Sequence, residues 1–412
     1  MSRKRVVITG IGALSPLGHD TGTLMHNLRA EANKVRRMTA WAEYEGLNTQ
    51  VGVPCAPFEL PPERYHRKSM RSMGRVAQMA TRASEMALEQ AGLLGDPLVS
   101  SGTLGVSFGS SSGTPSAVGD FGRMMSSRST EGINANTYVK MMSHTATVNI
   151  AVFFGITGRI ITTSSACTSG SQGIGYGYEA VASGRQVAML AGGAEELDPT
   201  QAAVFDTLFA TSTRYNDEPR LTPRPFDVAR DGLVLGEGAC TFVLEEFEHA
   251  RARGAPMLGE VVGYGTNCDG THVTQPQAGT MAQAMRLALE DAGLLPEAIP
   301  YINAHGTSTD QGDVAESQGT HAVFGPAVAI SSLKSYMGHT LGACGSLEAW
   351  MTLEMMRAGW FAPTLNLEQV DPRCGELDYV RAGGRHLQTE FAMTNNFAFG
   401  GINTSLILRH LG

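Results

Sequence analysis

Hydrophobic positions along the chain fall into two recurring patterns. One is a set of short β-branched runs; the other is longer Ala- and Leu-rich stretches in which apolar residues return at helical spacing. Residues 6–12 (VVITGIG), 104–108 (LGVSF), 160–163 (IITT), 240–244 (CTFVL), 300–304 (PYINA) and 328–332 (VAISS) are of the first kind and predict strands. Residues 61–94, introduced by two prolines, predict a helix or a pair of helices. Ile174, Tyr178 and Val181 predict another helix, which Gly184 stops. Strands and helices alternating in this way point to an α/β fold with parallel-rich sheets.

One segment occurs twice. Residues 83–94 (ASEMALEQAGLL) return as residues 284–295 (AMRLALEDAGLL), identical at eight of twelve positions at an offset of 201. Each copy is followed by a short loop and a strand, 104–108 in one case and 300–304 in the other. The 160–163 strand has a rough counterpart in 328–332. Two Ala/Leu/Glu helices can resemble each other by chance, but the matched strands downstream favour duplication. The expectation is two similar βα halves, residues 1–250 and 251–412, joined near 250–256 (ARARGAP). No linker-like segment separates them, so they should pack tightly, with the active site where their strand ends meet.

Composition narrows the class. With 412 residues, 42% of them hydrophobic and 17% charged, and with 49 glycines, the chain suits a well-buried α/β enzyme. No apolar stretch approaches the roughly 18–20 residues that span a bilayer, and MSRKRVVITGIGAL reads as a first strand and not a signal peptide. VVITGIG supplies two glycines of a dinucleotide fingerprint but places Ser15 where the third belongs, so no nicotinamide cofactor is expected. The six cysteines are scattered without CxxC spacing, which suits a reducing cytoplasm. A net charge of −8 and the lack of a recognised motif weigh against nucleic acid.

The chemistry centres on Cys167, in RIITTSSACTSGSQGIG, where a strand hands over to a helix. Free backbone N–H groups and the positive helix end beside the sulfur should lower the thiol pKa and make a nucleophile, and the same N–H groups suit an oxyanion. A small buried cysteine is the competing reading. His305 opens HGTSTDQGD and His339 lies in KSYMGHTLGACG, both in small-residue loops after strands and so placed for a cleft. A thiolate that accepts an acyl group, with two neutral imidazoles donating to an enolate oxygen, suits carbon–carbon bond formation on a thioester. A zinc site is the rival use of the histidines, but neither loop supplies a third and fourth ligand, so no metal is expected.

SSACTSG, HGTST, KSxMGH and NNFAFGGIN resemble the β-ketoacyl-acyl-carrier-protein synthases, and the resemblance runs from VVITGIG to GGINTSLIL. It implies the thiolase fold, a duplicated five-layer α-β-α-β-α architecture, in a homodimer. By the same resemblance Cys167 is the acylated nucleophile and His305 and His339 act at decarboxylation and condensation. Lys334 would orient the site, Glu316 would be its acidic partner, and Asp313 a structural carboxylate. Thr307 and Thr309 would hold the pantetheine arm. The N–H groups of Cys167 and Phe399 would form the oxyanion hole, with Phe399 also the gate. The Cys-His-His set resembles elongating synthases I and II without separating them. The implied function is extension of an acyl chain by two carbons in fatty acid synthesis, with no cofactor beyond the carrier's own phosphopantetheine. A specialised polyketide-type ketosynthase and a non-catalytic partner subunit are the alternatives.

Three departures from that family pattern stand out. Ala398 replaces the first glycine of the gate loop and should resist a positive φ, Tyr336 and Met337 should alter the site wall, and Ser112 falls at a position that gates the acyl pocket. Finally, Arg64, Lys68, Arg71 and Arg75 fall at spacings of four, three and four, which on a helix is one basic face, broadened by His66 and Arg67. On an acidic protein such a stripe suggests steering of an acidic partner. By resemblance that partner is acyl carrier protein, docked through Lys68 and Arg71; a solvated helix face is the plainer alternative.

Overall fold

The computed structural model describes residues 3–411; Met1, Ser2 and Gly412, at the ends of the two expected halves, lie outside the described residues. Ten strands form the frame. The first half supplies β1 (Val6–Leu14), β2 (Leu104–Gly109), β3 (Ile160–Thr163), β4 (Ala188–Glu195) and β5 (Gly238–Glu246). The second supplies β6 (Gly259–Cys268), β7 (Tyr301–Asn303), β8 (Ala329–Ser331), β9 (Phe391–Phe397) and β10 (Ile402–Arg409). Their order is β3-β2-β4-β5-β1 in one half and β8-β7-β9-β10-β6 in the other, with a two-residue edge, Asp378–Tyr379, beyond β8. The pairings match throughout: β2 lies parallel to β3 and β4, and β7 parallel to β8 and β9. The remaining pairs in each half are antiparallel. The halves join where Val6, Val7 and Ile8 of β1 pair with Val261, Glu260 and Gly259 of β6.

Six helices complete the layers. On the outside α1 (Arg75–Gln90) and α2 (Thr145–Phe154) cover the first sheet, and α4 (Ala278–Ala292) and α5 (Asp310–Phe324) the second. Between the sheets lie α3 (Ser169–Ala182) and α6 (Cys344–Ala358), packed on each other. The first thirteen residues of α6 are all buried, as are twelve of the fourteen in α3, which is why both lack an ordinary polar face. This is the five-layer duplicated arrangement of the thiolase fold. Among the described residues no helix is long and apolar enough to cross a membrane.

The repeat has a steric meaning. A Cβ on Gly10 would lie 2.1 Å from the carbonyl oxygen of Ala87, and one on Gly12 2.0 Å from that of Ala83. In the second half Gly263 faces Ala288 at 2.4 Å and Gly265 faces Ala284 at 2.1 Å. The glycines of VVITGIG therefore let α1 sit directly on β1, and their twins do the same for α4 on β6. They are packing glycines and form no phosphate loop.

The expected helix over residues 61–94 is shorter: α1 begins at Arg75, and residues 61–74 are a series of turns. Ser69 Oγ donates to the carbonyls of Arg64 and His66, and such local bonds compete with helix formation. The basic stripe is therefore not a helical face. Arg64 is tied to buried Glu85, and Arg75 grips buried Glu237 at 2.5 and 2.8 Å. Lys68 and Arg71 are exposed and form no salt bridge among the described residues, beside exposed His66 and Arg67.

Candidate active site

Cys167 sits in a three-residue turn, Ala166–Thr168, between β3 and α3. The Ser/Thr run around it is structural. Thr163 Oγ1 donates to the Ser169 carbonyl, Ser169 Oγ to that of Ala166, and Thr168 Oγ1 to that of Ser165. These bonds hold Ala166 at φ +50°, a conformation that non-glycine residues rarely adopt. The matching turn of the second half, Leu341–Ala343, has Leu341 at φ +44° and leads into α6. The two elbows face each other, and the second delivers His339.

His339 Nε2 lies 3.0 Å from Cys167 Sγ, while its Nδ1 accepts from the Leu341 N–H at 3.3 Å. An Nδ1 that accepts leaves the proton on Nε2, so the hydrogen-bond network assigns the tautomer that donates to the sulfur. His305 stands edge-on to His339, ring centroids 5.1 Å apart at 89°. Its loop is held by Glu316 of α5, whose two carboxylate oxygens accept from the N–H groups of His305 and Gly306, each at 2.7 Å. Asp313 does the same one step on, accepting from Ser308 and Phe226, as expected of a structural carboxylate.

Cys167, His305, His339, Thr307, Thr309 and Phe399 all line one cavity of about 380 Å³. The Thr307 and Thr309 hydroxyls are 2.9 Å apart on its wall. The Phe399 ring packs edge-to-face on Phe205, centroids 5.7 Å apart. The backbone N–H groups of Phe399 and of Cys167 itself favour the charged form of the sulfur.

Several expectations are corrected. The thiol is not lowered: burial pushes Cys167 up to about 11, outweighing the Phe399 N–H, Lys334 and its own N–H. Glu316 is not the partner of Lys334, whose ammonium pairs with Glu348 of α6, both side chains buried. Burial works against the Lys334 charge, but Glu348, with Cys344 and Glu316, outweighs it and holds the lysine above its ordinary value. Glu316, buried on the backbone of the His305 loop, is pushed up to about 8 by that burial. Ser112 lies off the cavity, exposed, with its hydroxyl accepting from Gln201. Tyr336 and Met337 are fully buried in the core and form none of the cavity wall. Ala398 does not need a positive φ: Gly400 and Gly401 take it, at +92° and +81°. Cys167, His305 and His339 bring one potential donor atom each within 4.8 Å of one another.

Burial, with Lys334 and for His305 also His339, holds both imidazoles well below their ordinary pKa and hence neutral. Glu348 and Asn396 belong to this site and went unread in the sequence. Asn396 Nδ2 donates to Glu348 Oε2 at 2.8 Å and approaches His305 Nδ1 at 3.4 Å. The signals for them are faint: two buried carboxylates, Glu348 and Glu354, inside the apolar run of α6, and an Asn pair near the end of the apolar β9.

Comparison with known proteins covers the whole chain. Two family models match, "Beta-ketoacyl synthase, N-terminal domain" over residues 3–250 and "Beta-ketoacyl synthase, C-terminal domain" over 258–368. The 3-oxoacyl-[acyl-carrier-protein] synthase 2 of Vibrio cholerae serotype O1 is 37% identical over the whole of both chains. A β-ketoacyl synthase from Burkholderia phymatum is 58% identical, with a TM-score of 0.97 over 99% of this chain and all of that one. A "type II PKS acyl-carrier protein in complex with its ketosynthase bound to the hexaketide" is similar at 27% identity and a TM-score of 0.89 over both full chains. With both domain models matched and more than a third of the residues shared with a full-length relative, the chain belongs to the β-ketoacyl synthase family.

Proposed function

We propose that this chain is an elongating β-ketoacyl-[acyl-carrier-protein] synthase, an acyltransferase that lengthens an acyl chain by two carbons at Cys167 in fatty acid biosynthesis. The observation that carries the reading is the surroundings of one atom. Cys167 Sγ lies 3.0 Å from a donating imidazole, that of His339, on the wall of a cavity it shares with His305, Thr307, Thr309 and Phe399.

In the first step the sulfur attacks the carrier-bound thioester. The carbonyl oxygen gathers charge against the N–H groups of Cys167 and Phe399, the old C–S bond breaks, and the Cys167 proton leaves on the departing carrier thiol. In the second, malonyl loses carbon dioxide. The electron pair of the broken C–C bond moves onto the thioester oxygen, where the Nε2–H groups of neutral His305 and His339 stabilise the enolate. That carbanion attacks the acyl carbonyl on Cys167, the C–S bond breaks, and the thiolate takes a proton from water. Neither step needs a metal or a redox cofactor, and the Lys334 ammonium works against a cation among the three donors.

Lys68 and Arg71 suit a carrier-protein dock, since they are exposed cations on a chain of net charge −8. A homodimer in the cytoplasm completes the reading. The test is intact-protein mass spectrometry with a panel of acyl carrier proteins, then malonyl carrier protein, with Cys167→Ala as control. A Cys167-dependent adduct that gives way to a β-keto product two carbons longer is expected, and the preferred chain separates housekeeping from specialised use. Folded protein that takes no adduct from any donor points instead to a non-catalytic partner subunit.

A further inference from the structure

Asn396 occupies an expensive position. It is fully buried at the end of β9, and its Oδ1 has no hydrogen-bond partner among the described residues. That oxygen lies so close to α6 that a Cβ on Gly345 would come within 2.7 Å of it. The amide cannot be turned to relieve this, because Nδ2 faces the Glu348 carboxylate at 2.8 Å and an oxygen there would repel it. An unpaired buried carbonyl is a standing penalty, so its retention calls for an explanation in what the other end of the amide does. That end points, at 3.4 Å, to His305 Nδ1.

We propose that Asn396 is the positioning residue of His305: its Nδ2 bridges Glu348 and His305 Nδ1 and so holds the imidazole as the tautomer whose Nε2–H faces the cavity. The chain Lys334–Glu348–Asn396–His305 then links the buried ion pair to the ring that meets the enolate. His339 gets the same service from a backbone N–H, that of Leu341. The two rings are thus set as donors by two different devices, and only the side-chain device can be removed by substitution. The proposal rests on the reading above, in which His305 donates to the enolate during decarboxylation.

The experiment compares the wild-type chain with Asn396→Ala and Asn396→Ser, measuring the half-reactions separately. Acylation of Cys167 depends on the two N–H groups and His339, and should stay within about twofold. Decarboxylation of malonyl carrier protein should fall on the order of 10- to 100-fold in the Ala variant, short of the loss on deleting an oxyanion donor outright. The Ser variant, whose hydroxyl reaches one acceptor at a time, should fall between. A third readout needs no turnover. In 15N-histidine-labelled protein, with His305→Ala for assignment, the His305 signals should move from a pure Nε2–H tautomer towards a mixture in the Ala variant. An unchanged tautomer, or equal losses in both half-reactions, overturns the proposal. Should the Ala variant fail to fold, the Ser variant decides by the same two readouts. Failure of the parent reading looks different: wild type would form no adduct and release no carbon dioxide, while the tautomer measurement would still stand.

Discussion

At the residue scale the governing conflict is at Cys167. The helix behind it, the Phe399 N–H and Lys334 all favour a thiolate, yet burial wins and leaves the thiol at about 11. The resting enzyme therefore holds a neutral thiol between two neutral imidazoles. Below that value each pH unit raises the thiolate fraction about tenfold. Acylation by a short thioester of the pantetheine type should accordingly climb about tenfold per unit from pH 7 to pH 9, followed by mass spectrometry of the adduct. A plateau that sets in near pH 8 would mean that the dipole and the N–H groups outweigh burial after all. Cys167, His305 and His339 were legible because each follows a strand in a run of small residues, a purely local signature. Glu348 was not, because spacing does not tell which of two carboxylates meets Lys334: Glu348 follows it by 14 residues and pairs with it, while Glu316, on the other side in sequence, turns out to hold backbone instead.

At the element scale the repeat was the most informative feature, since helix, loop and strand recurred together and the sheets obey the same order. What the sequence concealed was why glycine is needed in β1. Gly10 and Gly263 are twin contacts, 2.1 and 2.4 Å from helix carbonyls once a Cβ is added, and backbone cannot yield as a side chain can. Gly10→Ala and Gly263→Ala should each destabilise by about 1–3 kcal/mol, the usual cost of overpacking. Thermal unfolding reads this as a lowered Tm for both, and an unchanged Tm for either would show that α1 or α4 is free to lift. Cofactor binding would not respond at all, which separates this role from the dinucleotide loop that VVITGIG resembles. The turns of residues 61–74 were misread because spacing alone cannot see Ser69 bonding back to the carbonyls of Arg64 and His66.

At the scale of the whole molecule the first half ends in a bare strand. One side of β3 pairs with β2 and the other has no partner among the described residues, with Ile160 exposed at 42%. Beside it, Val152 of α2 is 76% exposed, Tyr138 52% and Met125 76%, on helices that pack in sequence against one another and against β3. An unblocked edge strand flanked by apolar side chains invites the same edge of a second copy, and two identical antiparallel edges meet naturally about a twofold axis. In the second half the corresponding strand β8 is covered by a two-residue strand, Asp378–Tyr379. Light scattering should thus give twice the 43.7 kDa mass of the chain. The paired substitution Val152→Lys with Ile160→Lys should drive the mass to that of one chain, since two buried charges per copy find no partner across the axis. A wild-type monomer would remove the homodimer from the proposed function. A variant that stays dimeric would move the interface elsewhere, and the exposed residues beside β3 would then need another occupant.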